Sequence, residues 1–328
     1  MIKEYIRVLK ARGWMKRNMS FLYSWHAYVG YELDLYDAFR KPATIEEVAS
    51  ARSLKEDMLK RWVEVGMAIR YIKQTSKGHF KTIKSFMLPS SKKNPRSTGV
   101  ILKEMMELHI PTLLSYPDMM KTKEKKVFNH QIHGTLVAQT SSLLEQLALP
   151  ALSRFIKKHN VQSIVDIGCG HAGYLQRLSQ EYPAIRMTGI ELNKEVAKEA
   201  AHRCESYPNI TIECQDAKSW KPDGQADLIM VNNLLHYISP EERQPLFQQL
   251  KNSLGETGSI SVMTPIHNSK HGKQFSSVFN SFFSAFNNLY PVPTEKDLYE
   301  IAAGTGLNIK EFKPVVKEGG WYRILMQK

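Results

Sequence analysis

Cysteine is scarce in this chain. Cys169, Cys204 and Cys214 are the only three in 328 residues, too few for a disulfide framework and without the paired spacing of a zinc site. Long apolar runs are also missing. No stretch approaches the roughly 20 consecutive apolar residues of a membrane helix, and charges interrupt the longest candidates. The start, Met1-Ile2-Lys3-Glu4, has neither the apolar core nor the cleavage pattern of a secretory signal. These absences predict a cytoplasmic, reducing setting, with no membrane partner and no bound metal. Acidic residues are thin in one half only. Residues 1–160 hold 28 Lys and Arg against 14 Asp and Glu, whereas the remainder holds 17 against 18. The net charge of +13 therefore belongs to the N-terminal half, as a solvated basic face or a surface for anions. What is present, 42% apolar and 23% charged residues, is the composition of a globular protein with one large domain or two ordinary ones.

The chain is organised around Ser163-Ile164-Val165-Asp166-Ile167-Gly168-Cys169-Gly170-His171-Ala172-Gly173-Tyr174-Leu175. A short apolar run of this length fits a central parallel strand. Gly168 and Gly170 then allow a tight turn and a close approach to a ligand. A dinucleotide enzyme uses a similar turn for a pyrophosphate. Asp166 separates the two readings, because a carboxylate there repels pyrophosphate and attracts a ligand carrying an amino group and a sulfonium.

This segment resembles the first motif of the Rossmann-like, class I S-adenosylmethionine-dependent methyltransferases. Asp166, Gly168 and Gly170 match that motif, while Ala172 stands at its third glycine and Gly173 follows one place later. The resemblance implies an α/β fold: a doubly wound, mostly parallel seven-stranded sheet over residues 161–328, with S-adenosylmethionine as cofactor. It implies cofactor contacts from Asp166, Gly168, Gly170 and Gly173.

Further strands are expected over 186–191, 210–215, 226–231 and 259–263, the last after a turn at 255–258, with two final strands at 307–313 and 321–326. Glu191 closes the second strand, where a bidentate acceptor can hold both ribose hydroxyls, and Leu192 follows it to pack on adenine. Asp216 and Ala217 follow the third strand. Asp216 either accepts from the adenine amino group, as the resemblance implies, or caps the next turn. Asn232 follows the fourth strand as a further cofactor contact.

Asn233-Leu234-Leu235-His236 is similar to the segment that carries the catalytic histidine in many small-molecule O-methyltransferases. His236 is accordingly the candidate general base, with a pocket contact or a structural role as alternatives. Imidazole suits proton abstraction near neutrality. The family commonly has an acid and a tryptophan after this histidine, and here Tyr237 and Ile238 stand there. Tyr237 and His267 are secondary candidates on the acceptor side. His130 and His133, three apart, can face one way on a helix turn, to line the substrate pocket or reach a metal, with an ordinary structural or surface role as the alternative. Phe275, Phe279, Phe282, Phe283 and Phe286 share one helical face, as core or as a lid over an apolar acceptor.

In the N-terminal half, residues 1–40 are periodic enough for one or two helices. Thr44-Ile45-Glu46-Glu47 and Ser53-Leu54-Lys55-Glu56 read as capping boxes for helices over 45–51 and 54–67. Residues 68–73 and 79–83 then read as a hairpin turning near Gly78. Helix pair plus hairpin is a winged-helix-like arrangement. A winged helix can read DNA, but Glu56, Asp57 and Glu64 on the longer helix face phosphates badly. With Tyr31-Glu32-Leu33-Asp34-Leu35-Tyr36-Asp37-Ala38, the region is similar to the N-terminal domain of small-molecule O-methyltransferases, which implies a homodimer rather than nucleic-acid binding. The expected organisation is an accessory domain over 1–95, a helical connector over 96–160 with helices at 98–109 and 135–158 and a turn at 116–120, and a catalytic domain over 161–328. The expected activity is methyl transfer to a hydroxyl of a small metabolite, with transfer to nitrogen or carbon as the alternative. A nucleic-acid methyltransferase or a non-enzymatic winged-helix regulator stands behind these.

Overall fold

The computed structural model describes residues 2–94, 97–122, 124–221 and 224–328. Two compact units divide the chain, Met1–Ile110 and Pro111–Lys328.

The first unit opens with a long helix, α1 (Ile2–Glu32), followed by a single turn, α2 (Leu35–Ala38). Helix α3 (Ile45–Arg52) starts on the expected box: the Thr44 hydroxyl accepts from Glu47 N at 3.2 Å and the Glu47 carboxylate accepts from Thr44 N at 2.8 Å. The second expected box does not form. Ser53 adopts a left-handed backbone (φ 53°) that terminates α3, and α4 (Glu56–Ala68) begins after Lys55 with no side-chain cap. The two helices are so close in sequence that ending the first takes up the residue meant to begin the second. The hairpin, β1 (Ile72–Ser76) and β2 (His79–Thr82), is antiparallel about Gly78 (φ 76°). It starts later than residue 68 because α4 runs through Ala68 and Arg70 then turns left-handed at φ 63°. Leu35, Phe39, Leu59, Trp62 and Val63 form the core of this unit. Buried His26 stacks on Trp62 at 4.2 Å and bonds the Tyr36 hydroxyl at 2.8 Å. The helical stretch expected at 98–109 is α5 (Gly99–Glu104), continued by a π-turn over Met105–His109.

Helix α6 (Ile110–Leu114) spans the division, and α7 (Tyr116–Thr122) occupies the expected turn at 116–120. Proline in the first turn of a helix costs no hydrogen bond, because that amide has no intrahelical partner; Pro117 therefore permits α7. Helix α8 (His130–His159) begins five residues before its expected start. The Asn129 carboxamide caps it, accepting from Gln131 N at 2.9 Å and Ile132 N at 3.2 Å.

Strands and helices then alternate: β3 (Ser163–Ile167), α9 (Gly173–Glu181), β4 (Arg186–Glu191), α10 (Lys194–Cys204), β5 (Ile210–Cys214), β6 (Ala226–Asn232), α11 (Pro240–Asn252), β7 (Leu254–Pro265), α12 (Lys273–Ser284), α13 (Glu295–Thr305), β8 (Asn308–Val316) and β9 (Trp321–Gln327). The seven strands of this unit lie in the order β5-β4-β3-β6-β7-β9-β8. All neighbours are parallel except at β9, which runs antiparallel to both β7 and β8. Residues 255–258 are part of β7 rather than a turn: Leu254 already pairs with Ala226, and a register shift absorbs the irregularity. Helices cover both faces. Val165, Ile167, Ile229 and Val231 point into one core, and Ile164, Leu228 and Met230 into the other. A parallel strand buried on both sides reads as a continuous apolar run for this reason. Strand order reverses between β3 and β6, and in open α/β sheets ligands bind beyond the strand ends at such a reversal.

Candidate active site

At the carboxyl end of β3 the chain turns through Gly168 (φ 70°) and Gly170 (φ 55°). The amides of Gly168 and Cys169 both donate to Ile190 O, at 2.8 and 3.0 Å, which ties the turn to β4. A Cβ on Gly168 would meet Leu234 Cδ1 at 2.9 Å, so the segment after β6 packs over the turn. Above Gly170 there is open space, the opening a ligand needs to approach the backbone. Ala172 holds a left-handed conformation (φ 58°) while fully buried. Glycine would adopt that backbone at no steric cost, so the alanine there carries strain on the order of 1 kcal/mol. The missing Cβ of Gly173 serves a different neighbour: it would lie 2.4 Å from Glu145 Oε1.

Carboxylates gather around this turn. Asp166 is buried, and Asn232 Nδ2, across the strand-order reversal, stands 3.5 Å from its Oδ1. Burial first, and then the charges of Glu145 and Glu191, push the Asp166 carboxyl well above its usual range, with Asn232 pulling the other way. Glu191 is fixed by two backbone amides: Gly170 N donates to Oε2 at 3.0 Å and Asn193 N to Oε1 at 2.9 Å. Asp166, Gly168, Gly170, Glu191 and Asn232 thus form one connected group. Glu145 on α8 joins them without having been expected. Burial raises its carboxyl to about 7 against the attraction of Arg177, whose Nε lies 3.4 Å from Oε2. A periodic signal was available, since Glu145 lies three and seven residues before the buried Ala148 and Leu152 and so shares their face.

The remaining expected cofactor contacts lie at the ends of β4 and β5. Leu192 is 68% exposed. Asp216 caps the following turn, its Oδ1 accepting from Lys218 N at 2.9 Å, and Ala217 O accepts from Gln249 Nε2 at 3.0 Å.

Beyond β6, Asn233 turns left-handed (φ 51°), and its Oδ1 accepts from Trp321 Nε1 at 2.8 Å. This bend delivers a 3-10 turn over Leu235–Tyr237. His236 is buried and stacks on Phe283 (4.4 Å, 15°), with the Tyr237 ring 4.3 Å away. Its Nδ1 is buried and has no hydrogen-bond partner among the described residues. Burial, and then the nearby Arg243 and His130, lower the His236 imidazole to about 3. Tyr237 also meets His130 at 5.4 Å, and Phe128 meets His130 at 5.0 Å and His133 at 5.4 Å. Both His130 and His133 are lowered by burial. One aromatic group therefore contains His236, Tyr237, His130 and His133. Of the phenylalanine stripe, Phe283 and Phe286 belong to it, Phe286 through Phe128 at 5.4 Å, and Phe279 links Phe283 (4.8 Å) to Trp321, on which Phe275 also packs. His267 sits beyond β7, where its amide donates to Pro293 O at 2.9 Å; its Nδ1 is likewise buried without a partner among the described residues. No group of three or more His, Cys, Asp or Glu among the described residues is arranged to hold a metal ion.

Residues 164–258, the span that contains this acidic turn and His236, match a family described as methyltransferase domain. Residues 164–258 form a methyltransferase domain. Among curated proteins, trans-aconitate 2-methyltransferase of an Escherichia coli strain is 30% identical over 118 residues, covering 36% of this chain and 44% of that protein. The chain thus matches less than half the length of such relatives. Solved structures extend the likeness of fold beyond the methyltransferase domain. An O-methyltransferase family protein from Burkholderia thailandensis aligns over 97% of this chain and 98% of its own, at 14% identity and a TM-score of 0.77. Mitomycin 7-O-methyltransferase aligns over 98% and 99%, at 16% identity and 0.77. Human N-acetylserotonin methyltransferase, solved with S-adenosylmethionine, aligns over 99% and 97%, at 15% identity and 0.76. The methyltransferase domain therefore lies in a chain with the overall fold of these enzymes.

Proposed function

We propose that this chain transfers a methyl group from S-adenosylmethionine to a hydroxyl of a small organic acceptor. The observation that carries the reading is the buried Asp166 carboxylate at the strand-order reversal, beside Glu191 and the open glycine turn. A pyrophosphate would add to the like charge that already raises this carboxyl's proton affinity, whereas a ligand with an ammonium and a sulfonium favours its ionised form and is attracted by it. Asp166, Gly168, Gly170 and Asn232 would hold the amino-acid end of the cofactor. Glu191, already oriented by two amides, has lone pairs left for the ribose hydroxyls. Leu192, Asp216 and Ala217 would border the adenine, and Gly173 supports the site by admitting Glu145.

The cofactor supplies a methyl group already activated on sulfur. The protein must align the acceptor with it and manage one proton. His236 is neutral near pH 7, and its unpartnered Nδ1 is the atom to take the hydroxyl proton, Nε2 keeping the ring's own. His130, His133, Tyr237 and His267 are assigned to the acceptor side. To test the reading, the protein is incubated with methyl-labelled cofactor and, separately, phenols, other hydroxylated metabolites, RNA and DNA. Label should enter a small hydroxylated compound. Label entering nucleic acid alone, or no turnover with any of them, overturns it.

The N-terminal unit, with its helix pair and hairpin, is assigned as a winged-helix-like dimerisation domain. Helix α1 supports this. Trp14 and Met15 are 69% and 72% exposed, and Ile2, Tyr5, Ile6 and Leu9 are exposed as well, an apolar surface of the kind that marks an interaction site. A second copy is the proposed cover. Light scattering should give twice the 37.6 kDa of one chain for the wild type, and L9E/W14E should give a monomer; a monomeric wild type removes the proposal. Among the described residues no helix is long and apolar enough to cross a membrane, and three free cysteines suit the reducing cytoplasm we assign.

A further inference from the structure

Arg243, near the start of α11, is 3% exposed. Its Nε donates to Leu235 O and to Ile238 O, each at 3.2 Å, and its Nη2 donates to Pro291 O at 2.5 Å. No carboxylate among the described residues forms an ion pair with it; Asp297 and Glu241 act on it only through their fields. Burying a cation without a counter-ion is costly, and a methionine would fill similar space without that cost. What an apolar side chain cannot do is join three carbonyls of two separate segments. Those segments bracket His236. Leu235 and Ile238 flank the turn that carries it, and Pro291 follows Tyr290, whose amide donates to His236 O at 2.9 Å. The second segment is itself anchored, with Val292 N donating to Asn280 Oδ1 at 2.8 Å on α12, the helix that supplies the stacking ring of Phe283.

We propose that Arg243 is a positioning residue for His236: its guanidinium fastens the 235–238 turn to the 290–292 segment and so fixes the imidazole against Phe283. This role rests on the reading of His236 as proton acceptor, but it has its own geometric consequence. The charge has a second effect. The titratable or charged groups facing His236 are Arg243 from α11, His130 from α8 and the neighbouring Tyr237. Arg243 is the permanent cation among them, so it opposes protonation of the ring.

The test follows His236 in the full-length protein by NMR, with R243M removing both fork and charge and R243K keeping the charge alone. In R243M the imidazole titration should move up by about one pH unit, the contacts between the His236 and Phe283 ring protons should weaken, and kcat should fall about tenfold with cofactor Kd unchanged. In R243K the titration should stay low while ring contacts and kcat fall. R243M with wild-type titration and ring contacts overturns the proposal. Should R243M not fold, R243K with wild-type ring contacts overturns it equally. A wild-type protein that binds no S-adenosylmethionine would remove the functional reading, while the NMR measurements would still decide whether Arg243 positions the ring.

Discussion

D166N and E191A should each weaken S-adenosylmethionine binding at least ~100-fold, about 2.7 kcal/mol, as measured by calorimetry. The two losses have different origins. Asp166 is a carboxylate kept out of water beside two further acids, and burial together with Glu145 and Glu191 raises its proton affinity. In the free protein that arrangement is a cost, since a buried like-charge cluster is relieved by neutralising one member. D166N should therefore hold or raise the melting temperature while losing the cofactor, a combination that general damage to the fold does not produce. The Glu191 carboxylate instead orders the turn, receiving Gly170 N and Asn193 N. E191A strips a partner from both amides, at about 1 kcal/mol each, so it should lower the melting temperature as it loses the ribose contact. Unchanged affinity in both variants would sink the assignment of the crevice.

These contrasts also show what the sequence makes legible. Strand β3 and its glycine turn are encoded locally, by an apolar run and by residues that tolerate left-handed backbone, and they stand where expected. Glu191 could be placed because a parallel strand of known length ends there. The Thr44 box formed because nothing competed for its hydroxyl, whereas Ser53 was already engaged in ending α3. Two polar contributions escaped because they depend on packing between distant segments. Glu145 reaches the site only because α8 lies against Gly173, and Arg243 matters only because Pro291 returns beside the 235–238 turn. Within one helix, Arg243 reads as an ordinary exposed cation, and no local pattern contradicts that reading.

Removing the imidazole should slow methyl transfer by ~10²–10⁴-fold, the usual worth of a positioned general base, with S-adenosylmethionine Kd unchanged. H236F is the sharper variant than H236A, since a phenyl ring keeps the stack on Phe283 and avoids the cavity that alanine leaves. It also deletes a buried Nδ1 that lacks a partner among the described residues, and an unsatisfied buried polar atom costs about 1–3 kcal/mol. H236F should consequently melt at or above the wild-type temperature while its rate collapses, and a wild-type rate in H236F would end the role of His236 as base. The pH dependence carries the same logic. With burial lowering the folded imidazole from its ordinary 6.5 to about 3, the ring is neutral throughout the physiological range. The acid limb of the rate should therefore lie below pH 5 rather than near 6.5. Between those two values the unfolded chain binds a proton that the folded one refuses, so this group's stabilising effect is complete above pH 6.5 and is lost as pH falls toward 3. Calorimetric melting of H236F should accordingly fall less steeply than the wild type across that acid window, because the phenyl ring has no proton to refuse.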